Sequence, residues 1–132
     1  MRKNYTKSEK QAYFKGLRDR WQAAKKFAEN GGAAEYQAII MNHGMNISLT
    51  GFTLVYHQMK ALGLDGLPYL DAKTFRGWKD NGFRVRKGET SQISGITWIG
   101  INKTDEDTDE VVDSYAIPKA YHLFHRSQVN AA

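Results

Sequence analysis

The sequence predicts an α+β fold in which N-terminal helices pack on a small C-terminal antiparallel sheet. Apolar residues recur at helical spacing through the first half of the chain. From Phe83 onward the period changes to runs of β-branched and aromatic residues, which is typical of strands. A length of 132 residues suits one domain with its own core, so we interpret residues 1–132 as a single domain.

Two helices are expected before residue 45. Ser8 and Gln11 have the spacing of a capping box, and the Asn-Gly-Gly sequence at 30–32 is typical of a helix end. The apolar segment 33–41 follows and is predicted to be helical as well. The first 30 residues are rich in lysine and arginine, most of which lie off the apolar stripe of the first helix.

Two further helices are predicted in the middle of the chain. Ser48 or Thr50 caps the third helix, which ends at Gly63. Asp71 is expected to cap a short fourth helix over 72–80, because Asp is a favourable residue at a helix N-terminus.

Strands are expected in the last third of the chain, at 83–85, 93–101, 111–117 and 121–124. Gly88 lies in the sequence Arg-Lys-Gly-Glu at 86–89, which indicates a tight turn after the first of these strands. Pro118 favours an edge or a break between the last two, because proline cannot donate a ladder hydrogen bond.

The net charge of +5 hides an uneven distribution. The segment 105–113 contains six acids and no base, so the remaining residues hold 19 bases and 8 acids, a net charge of +11. Such a surplus favours an anionic partner, and nucleic acid is the first candidate. We interpret the acidic segment as a solvated hairpin tip, formed by Asp105, Glu106, Asp107, Asp109, Glu110 and Asp113.

Several classes of protein are disfavoured by what the sequence lacks. It contains no cysteine, which excludes disulfides, Cys-based zinc sites and thiol nucleophiles. It has no apolar run long enough for a membrane span or a signal peptide, so we expect a cytoplasmic protein that does not bind membranes. His122 and His125 would lie on opposite faces of a strand, which makes them a poor metal pair. With no HExxH, Walker or nucleophile-elbow motif, we expect neither an enzyme nor a cofactor.

The segment 73–87 is the most informative part of the sequence, with six cations, one acid and three interleaved aromatic residues. Aromatic faces stack on bases while cations follow phosphates, so this composition suits a single strand of nucleic acid. The alternative is a solvated charged face, with Phe75 facing the core and Trp78 and Phe83 either buried or exposed. The predicted DNA-binding residues are Lys73, Arg76, Trp78, Lys79, Phe83, Arg84, Arg86, Lys87 and Tyr121.

The turn at 86–89 offers a second way to bind an anion. Gly88 permits a left-handed backbone, so successive N–H groups there would form a concavity beside two cations. The same turn is also an ordinary hairpin connection.

Two motifs resemble the N-terminal single-stranded-DNA-binding domain of ArdC-like antirestriction proteins. The Thr-Phe pair at 74–75 and the sequence Gly-Phe-Arg-Val-Arg-Lys-Gly-Glu at 82–89 are similar to the TF…GxxVRKGE core of that family. Residues 121–124 with Gln128 are similar to its closing YxVFNxxQ segment. The resemblance spans roughly residues 10–128.

A third, weaker piece of the resemblance lies upstream. Asn42 and Gly51 fall at the spacing of the family's N-x8-G-I-N stretch. The departures replace a tyrosine, two asparagines and a small residue of the family, at Leu49, Thr53, His125 and Trp78.

Full-length members of that family carry a metallopeptidase-like domain with HExxH, which this sequence lacks. The resemblance therefore implies the binding module alone, in a phage, plasmid or other mobile element, where it would protect DNA from host restriction. The expected function is sequence-tolerant binding of single-stranded DNA, with RNA as another possible ligand. The alternative is an anti-defence inhibitor that binds a host nuclease or restriction protein directly, and a nuclease is a third, less favoured reading.

Overall fold

The computed structural model describes residues 5–108 and 110–132 and has the predicted α+β fold. The first four residues and Asp109, one of the six acids of the expected hairpin tip, lie outside the described part. The helices are α1 (Lys7–Phe27), α2 (Ala34–Asn42), α3 (Leu49–Ala61) and α4 (Phe75–Asp80). The strands are β1 (Ala72–Lys73), β2 (Phe83–Val85), β3 (Ile93–Thr104), β4 (Val111–His125) and β5 (Val129–Ala131).

Helix α1 begins two residues earlier than the capping-box pattern predicts. Thr6, and not Ser8, is the N-cap, and its hydroxyl accepts a hydrogen bond from the Glu9 N–H at 3.1 Å. The prediction was wrong because two hydroxyl residues compete for the cap, and the earlier one is followed by a complete first turn. The α-helix ends at Phe27 and continues as a π-helical turn over Ala28–Gly32, so the helical run stops at the predicted glycine pair, where Gly31 has a φ of 82°.

Helix α3 lies at the centre of the fold. Ser48 caps it by accepting a hydrogen bond from the Gly51 N–H at 3.0 Å, as predicted. Its side chains Phe52, Val55 and Met59 are fully buried, in contact with α1, α2 and the sheet. Burial of apolar side chains on several sides makes this helix the element on which the others pack.

The main sheet has the strand order β1-β4-β3, and both pairings are antiparallel. Strand β3 pairs with β4 along its whole length, from Ile93 opposite Leu123 to the hairpin tip. On the edge of β3 that faces away from β4, the Gln58 side-chain amide of α3 bonds to the backbone of Ser94. It accepts from the Ser94 N–H at 3.0 Å and donates to the Ser94 carbonyl oxygen at 2.7 Å. The helices are thereby fixed to the sheet.

Strand β4 runs through Pro118 without a break, and the proline lies at an edge, which is the first of the two alternatives that the sequence indicated. Pro118 lies opposite Trp98 of β3, and β1 reaches β4 only at Phe124 and His125. A proline fits at this point because the strand is paired with β3, on one side.

Strands β2 and β5 form a second, two-stranded antiparallel sheet, with Val85 opposite Val129. The sequence did not predict β5. The turn after β2 therefore leads away from the strand pair and does not connect the two strands as a hairpin turn would.

Helix α4 is shorter than the expected segment 72–80. Thr74 caps it, with its hydroxyl accepting from the Gly77 N–H at 3.0 Å, and residues 72 and 73 form β1 instead. Asp71 was therefore wrong as the N-cap, since its carboxylate accepts from the Leu67 N–H at 2.8 Å within the preceding loop.

In the part of the chain that the structure describes, no helix combines the length and the apolar character that a membrane crossing requires.

Candidate nucleic-acid interface

Helix α4, strand β2 and the turn at 86–89 carry seven of the nine predicted DNA-binding residues, and the other two, Lys73 and Tyr121, lie in β1 and β4. The β2–β5 ladder, a backbone hydrogen bond from Ala132 and the buried side chain of Trp78 hold α4, β2 and the turn against the rest of the protein. The Ala132 N–H donates to the Gly82 carbonyl oxygen at 2.9 Å, beyond the ladder of β2 with β5. The candidate interface is thus a small unit that lies beside β1 and the C-terminal end of β4.

Trp78 is the anchor of this unit and is only 4% exposed. Its indole N–H donates to the Phe124 carbonyl oxygen of β4 at 2.7 Å, and its ring meets Phe83 edge to face, with 5.4 Å between centroids. The prediction that Trp78 stacks on bases is therefore wrong, because its faces are covered by protein.

Phe75, in contrast to Trp78, is exposed to solvent. The alternative interpretation of the sequence places it in the core, but it lies at the first position of α4 and is 59% exposed. Its ring touches Phe124 edge to face at a centroid distance of 6.5 Å. Phe83, which is 37% exposed, is the other aromatic ring of the unit that reaches the surface. Phe75 and Phe83 are therefore the aromatic rings of this unit that are exposed to solvent.

Tyr121 does not belong to the exposed surface either. It is half-buried beside the core cluster of α3, and its ring covers Gly95 so closely that a Cβ at that position would collide with it. The Tyr121 and Tyr69 hydroxyls share a hydrogen bond. Burial raises the pKa of Tyr121, and because the ring packs against the core only part of it is open to a base.

The six cations of the segment separate into two groups. Among the described residues, the side chains of Lys79, Arg84 and Lys87 have no hydrogen-bond or ion-pair partner, and the Arg76 guanidinium lies at the limit of an ion pair, 3.9 Å from Asp80. Exposed charges of this kind are available to phosphates without loss of an internal contact.

Lys73 and Arg86 form the second group, whose charged side chains donate hydrogen bonds to backbone carbonyl oxygens of the protein. The Lys73 ammonium donates to the Tyr69 carbonyl oxygen at 2.6 Å and lies 5.7 Å from the centre of the Trp78 ring. The Arg86 guanidinium donates to the Ser127 carbonyl oxygen at 2.6 Å and pairs with Glu89 at 3.3 Å. A phosphate would have to compete with these contacts.

The turn at 86–89 has the expected geometry, with Gly88 at a φ of 89°. Two of its N–H groups are already used, since Arg86 donates to the Gln128 carbonyl oxygen and Glu89 donates to that of Arg86. The buried Gln128 amide, together with Arg86, holds the pKa of the Glu89 carboxyl below its usual range. The Glu89 carboxylate would repel an anion, and two of the N–H groups of the turn are not free to bind one. Both features count against the predicted anion concavity.

Two open clefts flank β2. One, of about 490 Å³, is lined by Lys73, Trp78, Phe83 and Arg126 among others. The other, of about 440 Å³, is lined by Arg84, Val85, Arg86, Lys87 and Asn130. The structure therefore brings six of the nine predicted residues together in two groups beside β2, whereas Arg76, Lys79 and Tyr121 line neither cleft.

Besides Phe75, sequence reasoning missed Arg126 and Asn130, which line the two clefts. Arg126 pairs with Asp65 at 2.6 Å and with Asp71 at 3.2 Å at the wall of the first cleft. Asn130 lies opposite Arg84 in the β2–β5 ladder. No local motif near 73–87 indicates either residue, because both are brought there by the pairing of distant strands.

Two departures from the ArdC-like pattern have structural roles. His125, 2% exposed, donates from Nε2 to the Asp65 carbonyl oxygen at 2.7 Å and accepts at Nδ1 from the Ser127 N–H. Thr53 is buried, and its hydroxyl donates to the Leu49 carbonyl oxygen of its own helix. Both side chains are engaged inside the protein.

Among the residues that the structure describes, no cluster of three or more His, Asp or Glu side chains is arranged to hold a metal ion. Comparison with protein families, with curated proteins and with solved structures finds no match for this chain.

Proposed function

We propose that the protein binds single-stranded DNA, with little sequence preference, through the surface formed by α4, β2 and the turn at 86–89. The observation that carries the proposal is the combination of cations without internal partners and exposed rings on one short segment. Lys79, Arg84 and Lys87 would neutralise phosphates, and Phe75 and Phe83 would stack on bases.

A single strand fits this surface better than a duplex. The exposed rings offer flat faces that unpaired bases can reach, whereas bases in a duplex are stacked on each other and present only their edges. The surface is divided by β2 into two clefts, and a flexible single strand can follow both. RNA has the same chemistry, so single-stranded RNA is the comparison ligand in the test.

The resemblance to the ArdC-like binding domain supports the same ligand and suggests the setting. We propose a cytoplasmic protein of a mobile element that shields single-stranded DNA from host restriction. Bound oligonucleotide should then resist a single-strand-specific nuclease at protein concentrations that saturate binding.

Removing two free cations should weaken binding and flatten its salt dependence. With four or five phosphate contacts, log K should fall with log salt at a slope near −3, from roughly −0.7 per contact. The double variant Arg84→Ala/Lys87→Ala should lose about 1.4 of that slope and about 10- to 30-fold of the affinity at 0.1 M salt. Fluorescence anisotropy of labelled single-stranded DNA at several salt concentrations measures both quantities.

A matched control removes the same charge elsewhere. Lys25 and Lys26 are exposed cations in the last turn of α1, which packs on α3 and β4. The double variant Lys25→Ala/Lys26→Ala should keep most of the slope. Equal losses from the two double variants would mean that net charge, and not this surface, attracts the DNA, and salt-independent binding would also contradict the proposal.

A further inference from the structure

The outer part of the β3–β4 hairpin carries an apolar face that is separate from the candidate interface. Ile99 and Ile101 of β3 lie opposite Ile117 and Tyr115 of β4, and cross-strand partners share a face. We call these four residues the apolar quartet. Ile99 is 37% exposed and Tyr115 43%, and the other two are half-buried.

The other face of the hairpin has a different character. Trp98 packs edge to face on Trp21 of α1, with 5.8 Å between ring centroids, and farther out the Ser114 hydroxyl donates to Asn102 at 2.9 Å. That face is covered by α1 at its base and is polar toward the tip. Among the described residues, none of the three hydrophobic core clusters includes a member of the quartet.

A two-stranded ribbon with an uncovered apolar face is only marginally stable in water, so it gains from a partner. We propose that the quartet is the contact surface between two copies of this chain, packed face to face with their hairpins antiparallel. The quartet of each copy would then cover that of the other. Burial of apolar surface supplies the attraction, and charge selects the orientation.

The charge distribution along the hairpin favours the antiparallel orientation. The tip carries the acids Asp105, Glu106, Asp107 and Glu110, whereas the rest of the chain has a positive balance. A parallel arrangement would bring two acidic tips together, and like charges at an interface repel. In the antiparallel arrangement, each tip points toward the positively charged body of the other copy.

The register of the hairpin sets a specific charge pair across this interface. A two-fold axis between the Ile99–Ile117 and Ile101–Tyr115 pairs, perpendicular to the strands, places β4 of one copy over β4 of the other. The pair two residues farther out, Lys103 with Asp113, then lies over the pair two residues farther in, Thr97 with Lys119. Asp113 of each copy therefore faces Lys119 of the other, and both side chains are exposed.

The dimer should be weak and dependent on concentration. A ribbon face of this size buries less than the roughly 1,200 Å² of a standard interface. We expect a dissociation constant of about 10–500 μM, which places the transition within reach of sedimentation equilibrium between about 10 μM and 1 mM protein.

Charge reversal at the predicted pair tests the arrangement. Asp113→Lys and Lys119→Glu should each weaken the homodimer about tenfold or more, because each places two like-charged pairs in the interface. An equimolar mixture of the two variants should dimerise again, since all cross-interface pairs are then opposite in charge. Mixing cannot repair an effect within one chain, so recovery reports the contact between copies.

Two further variants complete the experiment. Ile99→Glu should abolish the dimer, whereas Ser114→Lys, a new charge on the opposite face of the same hairpin, should leave it unchanged, with circular dichroism checking the fold of each. A wild-type chain that stays monomeric to 1 mM overturns the proposal. So does a dimer that Ile99→Glu, Asp113→Lys and Lys119→Glu leave intact, or a mixture that does not recover.

Discussion

Replacing Trp78 by alanine is expected to lower the free energy of unfolding by about 3–5 kcal/mol. The side chain is 4% exposed, and its loss leaves a cavity between α4, β2 and β4. It also leaves the Phe124 carbonyl oxygen without the indole donor, and an unsatisfied buried acceptor adds to the cost. Urea denaturation followed by circular dichroism measures the change.

The matched variant is Phe75→Ala, three residues earlier on the same helix. This ring is 59% exposed and contacts Phe124 only at its edge, so its removal should cost less than about 1 kcal/mol. Similar losses from the two variants would contradict the assignment of Trp78 as the anchor and Phe75 as a surface residue. Trp78→Phe should lie between them, since it keeps most of the volume and removes the N–H.

The second large effect concerns binding, and it falls on Phe75. If this ring stacks on one base, Phe75→Ala should lower the affinity for single-stranded DNA by about 1–3 kcal/mol, which is about 5- to 150-fold. The salt slope should change little, because a phenyl ring contacts no phosphate. Anisotropy titrations at two salt concentrations separate this effect from the loss of a cation.

Tyr13→Ala is the control, because Tyr13 is almost as exposed, at 55%, but lies on α1. It should bind DNA like the wild type. Unchanged affinity for Phe75→Ala would remove stacking at Phe75 from the proposed mechanism, while the test with Arg84 and Lys87 would still decide whether the cations bind.

Elements with a strong local signal were predictable from the sequence. The helical period around Phe52, the hydroxyl at Ser48 and the β-branched run of β3 each determine their element through neighbouring residues. The helix caps at Thr6 and Thr74 were missed because several cap-forming residues lie near each helix start. Strand β5 was missed because a three-residue strand has no period, and only its distant partner β2 gives it a structure.

The cations of the candidate interface were easier to predict than its aromatic residues. Lys79, Arg84 and Lys87 are exposed because a charged side chain avoids burial wherever the segment lies. Phe75 and Trp78 are both apolar and lie three residues apart on one helix, so composition cannot tell which one faces inward. Which ring is buried depends on the position of Phe124. Its carbonyl oxygen accepts a hydrogen bond from the indole N–H of Trp78, whereas a phenyl ring has no such donor.

The pairing of β2 with β5 also sets an order of events during protein synthesis. Chains emerge from the ribosome from the N-terminus, so α4 and β2 leave it before the entire β3–β4 hairpin, and β5 follows last. Until then β2 has no strand beside it, and Arg86 lacks the Gln128 and Ser127 carbonyl oxygens to which it donates. The basic surface is therefore completed after the core around α3 and the hairpin has been synthesised.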